Sequence, residues 1–450
     1  MDRNKNLEQY KRIIRAVAAL IVIICTVLIF LAIWRGYYNI RVVFPFYYKG
    51  HWMIAAVYMI FVILFMYIYG GLKFGYLKCS SIILSQVLAV ICANVMAYLE
   101  IVLLAAKFVS IVPIFYMTLI DIMVIVILTN AISFIFKKLF PPREMLLLYE
   151  DYEPDSFLRK MNVRDDRYRL KDTLCIHGLS EEELKKIITS YDAILIYDVH
   201  SEKRNRLLKL CYAESVRVYT TPKISDILIK SADDIHLFDS PLFLMRNTGL
   251  SFEQKVVKRV MDIVVSSIVL IVTSPIMLIV ALAIKLYDGG PVMFRQDRCT
   301  IGGKVFRIHK FRSMIVDAEK GGQVIPATDN DPRITPVGKI IRQTRIDELP
   351  QMIDILQGNM SIVGPRPERV EHVQAYTEDI PEFKYRLKVK GGLTGYAQIY
   401  GKYNTTAYDK LKLDLMYIQN YSLRLDIRLI FMTVKIMFMK ESTEGFEKEK

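Results

Sequence analysis

The stretch VMDIVVSSIVLIVTSPIMLIVALAIKL, Val260 to Leu286, decides how this chain is built. It stays apolar for longer than the roughly 20 residues a helix needs to cross a bilayer. Yet Lys255, Lys258 and Arg259 precede or open it, and Lys285, Arg295, Arg298 and Lys304 lie at or beyond its far end. Basic flanks favour the cytoplasmic side, so a full crossing would break the charge rule at one end. The middle carries Ser274-Pro275. Proline removes a backbone donor and clashes with the preceding turn, so a helix bends there. The Ser274 hydroxyl can serve the backbone group this frees, where no water reaches. The stretch therefore reads as a helix that enters the bilayer, bends at Ser274-Pro275 and returns. A plain fifth span with a kink is the competing reading.

Upstream lie four more apolar segments: Ile13 to Trp34, Trp52 to Tyr69, Ile82 to Leu104 and Phe108 to Phe136. Trp34, Tyr37, Tyr38, Trp52 and Tyr69 sit at segment ends, as interfacial aromatics do. The first segment is too long for a cleaved signal peptide. Lys11, Arg12 and Arg15 precede it, and Lys137, Lys138 and Arg143 follow the fourth. Both ends of the block are therefore expected in the cytoplasm. Lys73 and Lys78 in the second loop agree, whereas Arg35, Arg41 and Lys49 in the first oppose this mildly. Glu100 and Asp121 are intramembrane carboxylates, hence functional candidates; a structural pairing with Lys107 near the outer interface is the favoured reading.

In a chain of 450 residues, 53% hydrophobic residues and a mean hydropathy of +0.28 point to a membrane part, and 24% charged residues to a soluble part joined to it. The net charge of +14 suits anionic headgroups or phosphorylated ligands. No basic tail or aromatic–basic repeat supports nucleic acid as a partner. Cys25, Cys79, Cys92, Cys175, Cys211 and Cys299 form no CxxC pair, which suggests neither a disulfide framework nor a zinc site and fits a reducing compartment.

From Pro141 short apolar runs (Met145-Leu148, Leu174-Ile176, Ala193-Tyr197, Val216-Tyr219) alternate with polar helical stretches such as Glu181-Ser190 and Glu202-Glu214. That rhythm predicts βαβ units and a parallel sheet. The turn after the first run, LLLYEDYEPD, has no glycine, so this is a Rossmann-like shape without its phosphate loop. A structural or regulatory role is expected for it. Ser225 to Asn247 reads as a linker.

Beyond the bent segment, IRQTRIDELPQMIDILQGNMSIVGPRP (Ile341 to Pro367) sets Asp347 and Glu348 after Arg342 and Arg345, with the turn Pro365-Arg366-Pro367 following. Such a cluster suits a phosphorylated, metal-bound substrate. A solvated helix end with surface ion pairs explains these residues equally well. If helical, the adjacent carboxylates point about 100° apart, so Asp347 can attack phosphorus while Glu348 holds a metal. Arg342 and Arg345 would help keep Asp347 ionised, and Pro350 should break the helix just afterwards. Arg366 is the foremost arginine candidate, because flanking prolines fix its backbone. His309 and His372 lack ligand partners at metal spacing and read as packing residues. Leu423 to Met439 places Arg424, Arg428 and Lys435 on one stripe and Leu425, Leu429, Met432, Ile436 and Met439 on another side. That is a basic amphipathic helix suited to lie on a bilayer, or one packed on the core.

Four motifs then stand in order: GGPVMFRQDRCTIGGKVFRIHKFRSM (Gly289 to Met314), TDNDPRITPVGKIIRQTRIDELPQ (Thr328 to Gln351), GNMSIVGPRPE (Gly358 to Glu368) and KGGLTGYAQIYGKYN (Lys390 to Asn404). From about Lys255 to Lys440 the chain closely resembles the bacterial sugar transferase family, the monotopic phosphoglycosyl transferases. With four spans and a Rossmann-like middle it resembles the long form, the undecaprenyl-phosphate hexose-1-phosphate transferases of capsule, exopolysaccharide and O-antigen synthesis. The resemblance implies a UDP-sugar donor, undecaprenyl phosphate as acceptor, and release of UMP. It further implies ping-pong catalysis through a phosphosugar ester on Asp347, with Glu348 and Mg²⁺. Pro365, Arg366 and Pro367 would shape the nucleotide pocket, Lys310 and Arg312 a basic strand beside the site, and Asp414 a further acidic position of its surface. Two departures are visible: Gly391 where many members have proline, and Cys299-Thr300 in place of a small-residue turn.

The expected architecture is a multi-domain membrane protein. Residues 1–140 form four transmembrane helices, 141–240 a Rossmann-like α/β domain and 241–254 a linker. Residues 255–287 form the re-entrant helix, and 288–450 a mainly helical catalytic domain on the cytoplasmic face of the bacterial plasma membrane. The phospholipid bilayer and a homodimer complete the expected partners. The competing function is a non-catalytic assembly or regulatory membrane protein with a vestigial transferase domain.

Overall fold

The computed structural model describes residues 8–162, 164–245, 249–316, 318, 331–401 and 405–439. Parts of the quoted motifs (328–330 and 402–404) therefore lie outside the described residues. The chain divides into two compact units between Thr221 and Pro222.

The first unit opens with α1 (Lys11–Ile33), α2 (Lys49–Tyr69), α3 (Cys79–Ala105) and α4 (Val112–Leu139), each long and apolar enough to cross a membrane. α1 packs on α2 and α4, and α3 packs on both of these. Ala89, Ala93 and Ala97 line the buried face of α3, where small side chains let helices approach closely. The predicted pairing of Asp121 with Lys107 is not what forms. Met117, Asp121 and Ile125 share one inward stripe at four-residue spacing, so Asp121 is fully buried, whereas Lys107 is exposed. Its partner is Asn94, whose Nδ2 donates to Asp121 at 3.3 Å and to Thr118 at 2.8 Å, while Tyr58 donates to Asn94 Oδ1 at 2.6 Å. Glu100 likewise keeps a buried Oε2 without a partner among the described residues.

The same unit continues as β1 (Arg143–Tyr149), α5 (Asp155–Asn162), β2 (Tyr168–Cys175), α6 (Glu181–Ile188), β3 (Ala193–Ile196), α7 (Ser201–Ala213) and β4 (Arg217–Thr220). The strands form one parallel sheet in the order β2-β1-β3-β4. Leu146 and Leu148 point to one apolar layer, Met145 and Leu147 to the other, as a sheet covered on both faces requires. Where a dinucleotide-binding unit would carry glycines, β1 runs into Glu150. Its buried carboxylate accepts the backbone N–H of His200 at 2.8 Å and a hydrogen bond from Lys203, beside the start of α7. An internal anion thus occupies the position at which such folds place a phosphate.

Burial raises the Glu150 carboxyl, but the bonds from Lys203 and His200 outweigh it and hold the group at about 2. A carboxylate depressed this way stabilises the fold fully above its ordinary value of about 4.3 and loses that contribution as pH falls through about 2. Glu150→Gln should remove this acid-dependent loss. The check is protease resistance of the α/β region between pH 5 and pH 2, where the variant should change less steeply than the wild type.

The second unit contains α8 (Ile224–Lys230), the hairpin β5 (Asp233–Leu237) and β6 (Ser240–Leu244), then α9 (Phe252–Asp288). The expected linker is thus structured from its start. Ile227 is buried in the core of this unit, while both strands of the hairpin are largely exposed, so even the apolar run Leu242-Met245 shows no alternation of a buried and a solvated face. There follow β7 (Met293–Cys299) paired antiparallel with β8 (Val305–Phe311), α10 (Pro336–Gln343), a 3₁₀ turn (Ile346–Glu348) and α11 (Gln351–Gln357). β9 (Ser361–Val363), α12 (Val370–Asp379), β10 (Gly392–Thr394), α13 (Tyr396–Tyr400), α14 (Ala407–Gln419) and α15 (Leu423–Met437) complete it. Ile355, Met360, Val363, Phe383, Leu411, Leu415 and Leu429 make the core.

α9 is fastened to that core at both ends. Near its start, Lys258 reaches Asp426 at 2.5 Å, Arg259 donates to the carbonyls of Ile355 and Leu356 at 2.6 Å, and Asp262 accepts from Ser361 and from the Ile362 N–H at 3.0 Å. Near its end, Val280 and Ile284 pack with Phe311 and Ile341, and Asp288 pairs with Arg312. Between these anchors Ile271 and Val272 are 74% and 68% exposed. Ser274 Oγ donates at 2.9 Å to the carbonyl of Ile271, the acceptor that Pro275 leaves without its usual N–H.

The basic stripe expected on α15 faces outward only in part. Of its cations Arg424 is exposed, Arg428 half-buried and Lys435 buried; Asp426 is also buried, held by Lys258 and Tyr417, and Leu423, Ile427, Val434 and Met437 are exposed beside Arg424. One buried carboxylate therefore set the rotation of the helix, because an unpaired interior charge is costly.

Candidate active site

The site is built where β8, the 3₁₀ turn and the segment after β9 converge. Arg345 adopts a left-handed conformation (φ 57°, ψ 17°), which stops α10 and turns the chain sharply into Ile346–Glu348. The dyad thus sits on a tight 3₁₀ turn rather than on the α-helix expected from sequence. Pro350, expected to end that helix, instead caps the start of α11, a position where its missing N–H costs nothing.

Glu348 is the paired member. Its Oε1 accepts from Lys310 Nζ at 2.9 Å and from Arg366 Nη2 at 2.8 Å, and its side chain is 12% exposed. Burial opposes its ionisation, but Lys310 and Arg366 outweigh this and hold the carboxyl well below the usual range. Asp347 is the bare member: among the described residues none donates a hydrogen bond to its carboxylate. Burial, then the charge of Glu348, push Asp347 upward against the pull of Lys310, Arg342 and Arg345. Two adjacent carboxylates with opposite shifts are what a division of roles requires.

Outer contacts fix these groups. Lys310 lies on β8, and His309 beside it donates its N–H and presents Nδ1 to Asp354 of α11 at 2.9 and 2.7 Å, which ties the strand to that helix. His372 packs on Tyr376. The carbonyl of Arg366 accepts from Arg386 at 2.9 Å, and Arg386 is held by Asp414 at 2.9 Å. Asp414, expected on the site's surface, is 1% exposed and bonded to Arg386 beneath it. Arg298 donates to the carbonyl of Pro367 at 3.1 Å. Burial and the neighbouring Arg366 lower Arg298 to about 10. Pro365 accepts from the N–H of Gly392 at 2.8 Å, completing the hold on the turn. Arg312 departs from expectation: just past the end of β8, it is buried against Asp288 and makes no bond to the dyad.

Arg298 and Arg386 were not singled out in sequence as site residues. An arginine before Cys299 or inside the Pro381–Lys388 turn looks like any surface cation, and only the fold turns them onto the backbone of the Pro-Arg-Pro segment. Outer partners of this kind typically carry about 10–100-fold of activity. Asp414→Asn should therefore lower turnover at least about tenfold with the dyad intact; unchanged turnover would show that Arg366 needs no such support.

The two departures from the family pattern explain each other. Thr300 Oγ1 accepts the Gly391 N–H at 3.2 Å and donates to the Asn359 carbonyl at 2.8 Å. A proline at 391 has no N–H to give, and a Cβ there would stand 3.0 Å from Pro367. Gly391→Pro should cost about 1–3 kcal/mol, the price of leaving a buried hydroxyl without its donor. Adding Thr300→Ala should recover part of that loss in thermal unfolding.

Residues 253–440 match the model of the family described as bacterial sugar transferase. A relative from Aeromonas hydrophila, named UDP-N-acetylgalactosamine-undecaprenyl-phosphate N-acetylgalactosaminephosphotransferase, is 34% identical over 313 residues, covering 68% of this chain and 69% of its own length. Proteins named UDP-glucose:undecaprenyl-phosphate glucose-1-phosphate transferase from Klebsiella pneumoniae and Escherichia coli K12 are 40% and 44% identical. Those matches cover 56% and 43% of this chain, and 53% and 43% of the relatives, so the chain spans about half the length of these two. With the similarity to the Aeromonas protein running through two thirds of both sequences and the family pattern spanning the whole dyad region, the chain belongs to the bacterial sugar transferase family.

Proposed function

We propose that this protein transfers a sugar-1-phosphate from a UDP-sugar to undecaprenyl phosphate and releases UMP, as the initiating step of capsular, exopolysaccharide or O-antigen glycan synthesis. The observation that carries the reading is the unequal dyad: a bare, half-buried Asp347 beside a Glu348 fastened by two cations. The relatives' names supply the substrate class, a UDP-linked hexose or N-acetylhexosamine.

In this mechanism Arg366, its carbonyl held by Arg386 and that of the next residue, Pro367, by Arg298, binds the nucleotide's phosphates as a planar fork. Asp347 attacks the sugar-linked phosphorus; the bond to the bridging oxygen breaks and UMP leaves with that electron pair. An oxygen of undecaprenyl phosphate then attacks the same phosphorus and expels the Asp347 carboxylate, leaving a diphosphate-linked sugar on the lipid. Splitting one displacement into two is the usual advantage of a covalent nucleophile.

The donor set fits Mg²⁺, which is commonly held by one or two carboxylates plus substrate phosphate oxygens. Asp347 and Oε2 of Glu348 have no protein partner among the described residues, while Oε1 is taken by Lys310 and Arg366. Bound there, the ion would neutralise the diphosphate that otherwise repels an anionic nucleophile.

For the membrane part, α1–α4 cross the bilayer with both ends in the cytoplasm, and α9 enters and returns. Support for the latter comes from its two ends resting on one unit, with Ile271 and Val272 exposed between them. Cysteines placed at Phe252 and Leu286 should both resist a membrane-impermeant reagent added outside intact cells; labelling of either one ends the re-entrant reading. The function itself is tested with the purified full chain in nanodiscs, UDP-sugars, undecaprenyl phosphate and Mg²⁺: UMP release and labelled lipid diphosphate are expected, and neither product with any UDP-hexose would overturn it.

A further inference from the structure

The first unit holds a cavity of about 410 Å³ that none of this chemistry uses. It lies among the start of α1, the end of α4, the loop around Tyr76 and the outer ends of β1 and β4. Its wall is rich in cations, and its two lining carboxylates are already engaged. Glu8 pairs with Arg143 and Arg217, and Asp166 pairs with Arg164 at 2.9 Å. Lys11, Arg12, Arg15, Lys137 and Arg167 also line it, and none of them forms a salt bridge among the described residues.

Three of these cations, Lys11, Arg15 and Arg167, lie against aromatic rings of the wall rather than fanning out into solvent. The guanidinium carbons of Arg15 and Arg167 stand 4.5 and 4.8 Å from the ring of Tyr76, and Lys11 Nζ stands 4.7 Å from the ring of Phe140. Aromatic faces can hold cations in place without neutralising them. Arg167 is further tied by Nη1 to the Tyr76 carbonyl at 3.5 Å, whereas Arg15 Nε is buried with no hydrogen-bond partner. The hydrogen bond and charge of Arg15, outweighing burial, draw the Tyr76 phenol below its ordinary value, a sign of a concentrated positive potential.

We propose that this cavity is an anion site that takes a phosphate monoester or diphosphate group. Guanidiniums present planar forks that match phosphate oxygens in pairs. A volume of this size falls within the range of small-ligand pockets, about 300–1,000 Å³, and is large enough for a phosphorylated headgroup or a soluble diphosphate. Because the wall includes the ends of apolar helices, the phosphate has two sources, a membrane lipid or a solute. The site stands in the first unit and does not depend on the transferase reading, since Asp347 lies in the second.

Hydrogen exchange of the full chain in nanodiscs tests it locally. In one arm inorganic pyrophosphate is added to phosphatidylcholine discs; in the other, the discs contain phosphatidic acid. Protection of the amides at 70–78 and 8–16 is expected in at least one arm, and which arm responds identifies the source. Arg15→Gln with Arg167→Gln should raise the concentration needed for protection at least tenfold. So should Arg12→Gln with Lys137→Gln, which touches only exposed side chains and leaves folding undisturbed. The charge-matched control, Lys171→Gln with Arg206→Gln at exposed sites outside the cavity, should leave it unchanged. Protection lost equally in the control, or absent in both arms, overturns the proposal.

Discussion

Asparagine in place of Asp347 abolishes UMP release from UDP-sugar, with turnover falling by about 10⁴-fold or more, as loss of a covalent nucleophile does. The substitution keeps shape and removes only charge. Because none of the described residues donates a hydrogen bond to Asp347, the fold should not register the change, and thermal unfolding should stay at the wild-type midpoint. Labelled sugar phosphate should remain on wild-type protein when acceptor lipid is omitted, and should be missing from Asp347→Asn. Near wild-type turnover in the variant would end the nucleophile assignment. Glu348→Gln is expected to differ in kind. It leaves Lys310 and Arg366 facing each other across a neutral amide, so the Mg²⁺ concentration needed for half-maximal rate should rise.

The second large effect is on stability. Lys258→Met leaves Asp426 buried with its charge uncompensated, and breaking a buried pair costs about 3–5 kcal/mol. Asp426 is 0% exposed and among the described residues keeps only the bond from Tyr417 at 2.8 Å. The double variant Lys258→Met, Asp426→Leu should recover most of the loss, because apolar replacement of a buried pair is often neutral or better. Tyr417 then retains the Val363 carbonyl, 3.2 Å away, as acceptor. Denaturation of the detergent-solubilised protein measures this. A single variant as stable as wild type would show that Lys258–Asp426 does not hold α9 on the core.

Much of this organisation was legible in the chain. Long apolar segments, the βαβ rhythm, Ser274-Pro275 and the adjacency of Asp347 to Glu348 are all local features, and local features survive in sequence. The failures over carboxylates share one cause. Asp121, Asp414 and Asp426 looked like surface or interfacial carboxylates, or drew no notice, and each proved buried against a partner distant in sequence. The α-helical reading of the dyad failed because a single left-handed residue, Arg345, is invisible to periodicity.

Composition and periodicity by themselves determined which segments are apolar enough for a bilayer, which alternate as strand and helix, and which residues could do phosphate chemistry. Those are properties of contiguous residues, set by side-chain hydration and backbone geometry. Only the tertiary structure decided which carboxylate is bare. Lys310 and Arg366, 38 and 18 positions from Glu348, both close on its Oε1 and leave Asp347 unpaired. Coulomb energy follows distance in space and the depth of burial, and neither is written in the order of the residues.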